Sequence, residues 1–183
     1  MRVISGSLKG KRISLPKDKK TRPLKDIVKE SIFNIIQHSN KINLEINNSN
    51  VLDLFSGSGS FGIECISRGA KSVIFNENYR NSIEILEKNI SDLDIKDKCK
   101  IIKKDFFKLS NNLNYSFNII FADPPFKETK INILIEYIYD NKMLKKDGIL
   151  ILHRNKKVFE NLSQKLNIIE ARNYGLSKII FAN

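Results

Sequence analysis

Little in this chain could staple it or ligate a metal. Its 183 residues include two cysteines, Cys65 and Cys99, and two histidines, His38 and His153. Neither cysteine falls in a Cys-x-x-Cys pair or a Cys/His cluster, so no metal is expected. No apolar run approaches the roughly 20 residues that a membrane span requires, and no membrane association is expected. The opening Met1-Arg2-Val3-Ile4-Ser5-Gly6 lacks the apolar stretch of a secretion signal, which makes a cytoplasmic protein with reduced thiols the expectation. Acidic residues are also scarce, 20 against 32 Lys and Arg, for a net charge of +12. A surplus of that size favours a polyanionic partner. It is concentrated at the start. Residues 1–30 hold ten basic side chains (Arg2, Lys9, Lys11, Arg12, Lys17, Lys19, Lys20, Arg22, Lys25, Lys29) and three acids (Asp18, Asp26, Glu30). Nucleic-acid backbone contact is read there, through Arg2, Lys9, Lys11, Arg12 and Arg22. A second basic group, Lys127, Lys130 and Arg154, is the alternative platform.

Residues 1–23 read as a small, basic β extension. Arg2-Val3-Ile4 and Arg12-Ile13-Ser14-Leu15 are strand-like, joined through Gly6 and Gly10 and closed by Pro16. Residues 24–183 read as one α/β domain. A first helix is expected after Thr21-Arg22-Pro23, with Ile27, Val28, Ile32, Phe33, Ile35 and Ile36 as its apolar face. Strands are expected near 51–55, 72–76, 100–104, 117–122 and 148–152, and helices near 60–68, 79–90, 129–140 and 156–165. Apolar strands alternating with helices predict a mostly parallel sheet covered on both faces. Ile168-Ile169 and Lys178-Ile179-Ile180-Phe181, around Asn173-Tyr174-Gly175, predict an antiparallel hairpin at its edge.

Two strand ends carry the chemistry. The first strand, Val51-Leu52-Asp53-Leu54-Phe55, runs into Ser56-Gly57-Ser58-Gly59-Ser60-Phe61-Gly62, a Gly-x-Gly-x-x-Gly loop. Alone, that loop suits a dinucleotide as well as S-adenosyl-L-methionine, with Glu77 at the end of the second strand on the ribose hydroxyls in either case. Three features favour S-adenosylmethionine. Asp53, so near the loop, suits a cationic methionine end and would repel a pyrophosphate. Asp105 and Phe106 follow the third strand and suit an adenine amino group and ring. No hydride-transfer motif accompanies either histidine. The fourth strand, Phe117–Ala122, ends in Asp123-Pro124-Pro125-Phe126. An exocyclic amine on a base is a poor nucleophile, because its lone pair is delocalised. Two acceptors that bind its two N–H groups can aim that lone pair. The Asp123 carboxylate and the Pro124 carbonyl, stiffened by the second proline, are those acceptors. Phe126 offers a stacking face. The expected reaction is methyl transfer to the amine of a base.

These residues resemble the ribosomal RNA small-subunit methyltransferase D family, through nearly the whole chain. The resemblance is carried by Arg2–Gly6 with Gly10, Thr21-Arg22-Pro23, Val28–Asn34, Leu52–Gly59, Gly62, Ser67–Ala70, Glu77, Asp105 and Asp123-Pro124-Pro125-Phe126. It implies a Rossmann-like class I S-adenosylmethionine-dependent methyltransferase acting on the N2 of a guanine of 16S rRNA, the base usually numbered 966. The implied substrate is the 30S subunit or an assembly intermediate, and a monomeric enzyme is expected. The chain departs from the family pattern at Ile27, where an arginine is usual, at Tyr79, where an acid is common, and at Leu152-His153-Arg154, where a glutamate is commoner. Two other readings stay open: an adenine-N6 or cytosine-N4 DNA methyltransferase, and a non-catalytic RNA-binding assembly protein.

Overall fold

The computed structural model describes residues 1–18, 23–108, 115–158 and 161–183. Seven strands form one sheet: β1 (Asn50–Leu54), β2 (Ser72–Asn76), β3 (Cys99–Ile102), β4 (Phe117–Ala122), β5 (Leu144–Asn155), β6 (Ile168–Tyr174) and β7 (Ser177–Ala182). Their order is β3-β2-β1-β4-β5-β7-β6. The first five strands run parallel, and β7 lies antiparallel between β5 and β6. The expected edge hairpin is therefore present. The helices are α1 (Asp26–His38), α2 (Ser60–Ser67), α3 (Arg80–Asp92) and α4 (Ile131–Asp140).

The near-continuous apolar strands sort by parity onto two cores, because successive side chains leave a pleated strand on opposite faces. Val51, Val73, Phe75, Ile119, Phe121, Ile149, Ile151, Ile179 and Phe181 pack with residues of α1, α2 and α3. Leu52, Leu54, Ile74, Ile120, Ala122, Leu150, Leu152, Ile180 and Ala182 pack with residues of α4. By the same parity Asp53 and Asp123 belong to the three-helix side, at the carboxyl ends of β1 and β4.

The sequence pattern misleads at three places. No helix forms over 156–165 among the described residues. Polar side chains capture the backbone there instead. Asn155 Oδ1 accepts from the Lys157 amide at 3.0 Å, and Asn132 of α4 bonds both the Ser163 amide (2.9 Å) and the Asn161 carbonyl (2.8 Å). Such bonds offer the chain an alternative to the helical ladder. In α1, Ile27 is exposed, whereas Lys29 is buried. The Lys29 ammonium donates to the Arg2 carbonyl at 3.0 Å and lies 3.5 Å from the Glu64 carboxylate. Burial lowers its pKa, against the raising pull of Glu64. It is thus withdrawn from the basic surface.

The third place is the N-terminal segment, which forms a single bridge, Arg2 to Arg12, in place of two strands. Its inner face joins the main core through Val3 and Ile13. Glu64 of α2, fully buried, accepts from the amides of Ile4 (2.8 Å) and Ser5 (2.9 Å). Gly6 allows the closest approach. It has φ +83°, and a Cβ there would lie 1.8 Å from the Ser67 carbonyl oxygen. Asn89 of α3 accepts from the Ser14 amide and donates to the carbonyls of Ser14 and Ser58. One side chain thereby ties the segment to the glycine loop.

Candidate active site

Strand order reverses between β1 and β4, and open α/β sheets bind ligands beyond the strand ends at such a point. A cleft of about 450 Å³ lies there. Asp53, Gly57, Glu77, Asp123, Pro124 and Phe126 all line it, together with Leu15, Pro16, Pro23 and Leu24. The two sequence motifs, far apart along the chain, therefore share one cavity.

The glycine-loop half is held by carboxylates. Asp53 is buried, and its Oδ2 accepts from the Gly62 amide at 3.0 Å. Burial pushes its carboxyl well above the usual carboxylate range; the Gly62 amide opposes that rise, and the charges of Asp123 and Glu77 add to it. Glu77 Oε2 accepts from Gly57 N at 2.8 Å, and its Oε1 from the amides of Asn78 and Tyr79 at 2.9 Å. Gly59 has φ +79°, and a Cβ there would meet Leu86 Cδ1 at 2.4 Å, so it fits the loop against α3. It does not line the cleft.

The half formed by Asp123-Pro124-Pro125-Phe126 is held by bases from β5. Asp123 N donates to the Leu54 carbonyl at 3.3 Å, which fixes the turn beside β1. His153 Nδ1 lies 2.8 Å from Asp123 Oδ1. The pair is a close polar contact rather than a well-aligned hydrogen bond. His153 Nε2 lies 2.7 Å from Ser177 Oγ. Arg154, also buried, donates to the carbonyls of Glu128 (2.9 Å) and Pro125 (3.4 Å). Phe126 meets the His153 ring edge-on at 5.4 Å.

The family model described as conserved hypothetical protein 95 matches residues 1–183. A Buchnera aphidicola protein named ribosomal RNA small subunit methyltransferase D is 34% identical over 178 residues, 97% of this chain and 85% of its own. The chain belongs to the ribosomal RNA small subunit methyltransferase D family. Bacillus subtilis YlbH is 35% identical over 161 residues, 86% of this chain and 84% of its own. The solved structure of yhhF from Escherichia coli superposes with a TM-score of 0.84 at 22% identity, over 100% of this chain and 96% of that one. The fold is that of the class I methyltransferases, and the chain is a methyltransferase.

Within this methyltransferase D framework, some expected site residues gather and others do not. Asp105 and Phe106 are not among the residues lining the cleft. Asp105 Oδ1 accepts from the Phe107 amide at 3.0 Å, and Phe106 is buried edge-on to Tyr137. Arg2, Lys9, Lys11 and Arg12 are exposed, away from the core side of their segment. Arg22 lies outside the described residues. Arg154 is buried and belongs to the turn's support, so the alternative basic platform reduces to Lys127 and Lys130. At Tyr79, where the family commonly has an acid, the hydroxyl donates to Asp18 Oδ2 at 3.1 Å. The roles of His153 and Arg154 in holding the turn are the main omission of the sequence reading. Their signal is a pair of basic residues directly after the apolar run Ile149-Leu150-Ile151-Leu152.

Among the described residues, no group of His, Cys, Asp and Glu could hold a metal, and no helix is long and apolar enough to cross a membrane.

Proposed function

We propose that this chain transfers a methyl group from S-adenosylmethionine to the exocyclic N2 of a guanine in 16S rRNA, guanine 966, within the 30S subunit or an assembly intermediate. The observation that carries the reading is the meeting of Asp123-Pro124-Pro125-Phe126 with Asp53 and Glu77 on one cleft. The family name borne by the relatives supports the ribosomal target.

The cofactor fits the residues present. Asp53 is an acid whose ionised form is disfavoured by burial, so a cation placed beside it recovers that cost. Glu77 faces the same cleft and can accept from ribose hydroxyls. Bound S-adenosylmethionine would supply the methyl on a sulfonium, the N2–CH3 bond forming as the S–CH3 bond breaks and S-adenosylhomocysteine is released. Asp123 and the Pro124 carbonyl hold the two N–H groups and aim the lone pair. Asp123 balances the positive charge developing on N2, and the surplus proton then leaves to water. Phe126 stacks on the base. Arg2, Lys9, Lys11 and Arg12 contact the RNA backbone, with Arg22 assigned to the same surface by sequence. The enzyme acts as a monomer in the cytoplasm.

The test is transfer of labelled methyl to unmodified 30S particles, followed by nucleoside analysis. N2-methylguanosine is expected. Label on adenine N6 or cytosine N4, or acceptance of DNA in place of 30S particles, overturns the reading. No transfer to any acceptor by a protein that binds 30S particles favours the assembly-protein alternative.

A further inference from the structure

We propose that His153 is a positioning residue for Asp123, holding one carboxylate oxygen so that the other faces the target amine. The inference rests on the reading of Asp123 as the amine acceptor. His153 is 3% exposed and lies one residue beyond the register pair Ala122–Leu152, which sets it beside the turn. Three groups meet its ring. Asp123 Oδ1 lies 2.8 Å from Nδ1, Ser177 Oγ lies 2.7 Å from Nε2, and Phe126 stands against the ring at 85°.

A carboxylate oxygen at 2.8 Å requires a proton on Nδ1, because two bare acceptors would repel. Nε2, on the other side of the ring, is paired with the Ser177 hydroxyl. Ser177 is itself buried, at the start of β7. The imidazole therefore links a fixed strand to the reacting turn, with the Ser177 hydroxyl on the side away from the substrate able to donate to or accept from Nε2. An unsupported carboxylate could rotate about its last bond. One oxygen held by His153 leaves the other in a fixed direction, and the contact tightens once the amine engages. Phe126, packed on the same ring, places the stacking face relative to that oxygen. Arg154 holds the main chain of the turn from the next residue of β5.

The test uses two isosteres. Asparagine's amide nitrogen falls at the δ position of the imidazole, and glutamine's at the ε position. His153→Asn keeps the Asp123 contact and loses that to Ser177; His153→Gln does the reverse. We expect His153→Gln to lower kcat on the order of tenfold to a hundredfold, with KM for 30S particles and the Kd for S-adenosylmethionine within about threefold of wild type. His153→Asn should retain kcat within about threefold of wild type. Equal losses in the two variants reduce His153 to a structural residue, and wild-type kcat in His153→Gln removes it from the mechanism. A second arm needs no turnover. In full-length protein, Asp123→Asn should shift the imidazole nitrogen resonances of His153. Unmoved resonances overturn the contact even where wild-type methylation is observed. Shifted resonances with no guanine methylation by wild type retain the contact and reject the proposed reaction and the positioning role with it.

Discussion

The two loops that flank the cleft are held by opposite chemistry. On the glycine-loop side, acids secure main-chain amides: Asp53 holds Gly62, and Glu77 holds Gly57, Asn78 and Tyr79. On the turn side, bases secure oxygens: His153 holds Asp123, and Arg154 holds the carbonyls of Pro125 and Glu128. Under the proposed reaction, the difference follows from what each loop would present. A cationic cofactor is served by negative charge left facing the cleft. A carboxylate that must receive an amine is served by positive or donating groups behind it. Negative charge nonetheless gathers at the point where β1 meets β4, where burial and the charges of Asp123 and Glu77 together raise the cost of ionising Asp53.

The largest effect expected from breaking this division is at the turn. Asp123→Ala should slow methyl transfer on the order of a hundredfold or more, read as single-turnover transfer to 30S particles, because it removes a charged acceptor at the transition state. Near-normal turnover would sink its role. Glu77→Ala acts on the other loop. It removes the proposed ribose acceptor and the brace on Gly57, so S-adenosylmethionine binding should weaken, by calorimetry, on the order of tenfold to a hundredfold for each charge-assisted bond lost, such a bond being worth roughly 1.5–3 kcal/mol. An unchanged Kd in a folded variant would leave Glu77 as a loop brace alone.

Asp53 gives a finer test, because its stability and binding effects have opposite signs. Its folded pKa is raised. Its contribution to stability is therefore present in full below the unfolded value of about 3.9 and is lost as pH rises through the folded value. Asp53→Asn should stabilise the cofactor-free protein at about pH 8, by on the order of 1 kcal/mol, and flatten the dependence of Tm on pH. The same change should weaken cofactor binding. In wild type, affinity for S-adenosylmethionine should rise with pH across the Asp53 titration. A Tm profile identical in both proteins would show that Asp53 carries no buried charge cost.

The smallest expected effect lies on the outer face of the N-terminal segment. Replacing Lys9, Lys11 and Arg12 together with Ala should leave folding intact and reduce the salt slope of 30S binding by up to about three phosphate contacts. Charge substitution is the clean experiment, since deleting the segment would take Val3 and Ile13 from the core and two partners from Glu64. An unchanged slope would make this surplus a solvated face.

The sheet was legible because its strands are nearly continuous apolar runs, and their parity divides them between two cores. The gathering of Asp53, Glu77 and Asp123 on one cleft was legible because strand ends in such a sheet converge at the switch between β1 and β4. Lys29 was not, since its partners Glu64 and the Arg2 carbonyl lie far off in sequence. The helix expected at 156–165 is absent among the described residues; the apolar spacing there fits one, but bonds from Asn132 and Asn155 outweigh that local preference. His153 resisted for the same reason as Lys29. Its meaning depends on Ser177 and Asp123, which only the fold brings to one ring.

Calorimetric titration of S-adenosylmethionine into Asp123→Ala, beside wild type and Glu77→Ala, tests the division between the two loops most directly. The account predicts a Kd for Asp123→Ala within about threefold of wild type, with the loss confined to Glu77→Ala. A folded Asp123→Ala that binds the cofactor as poorly as Glu77→Ala would contradict it.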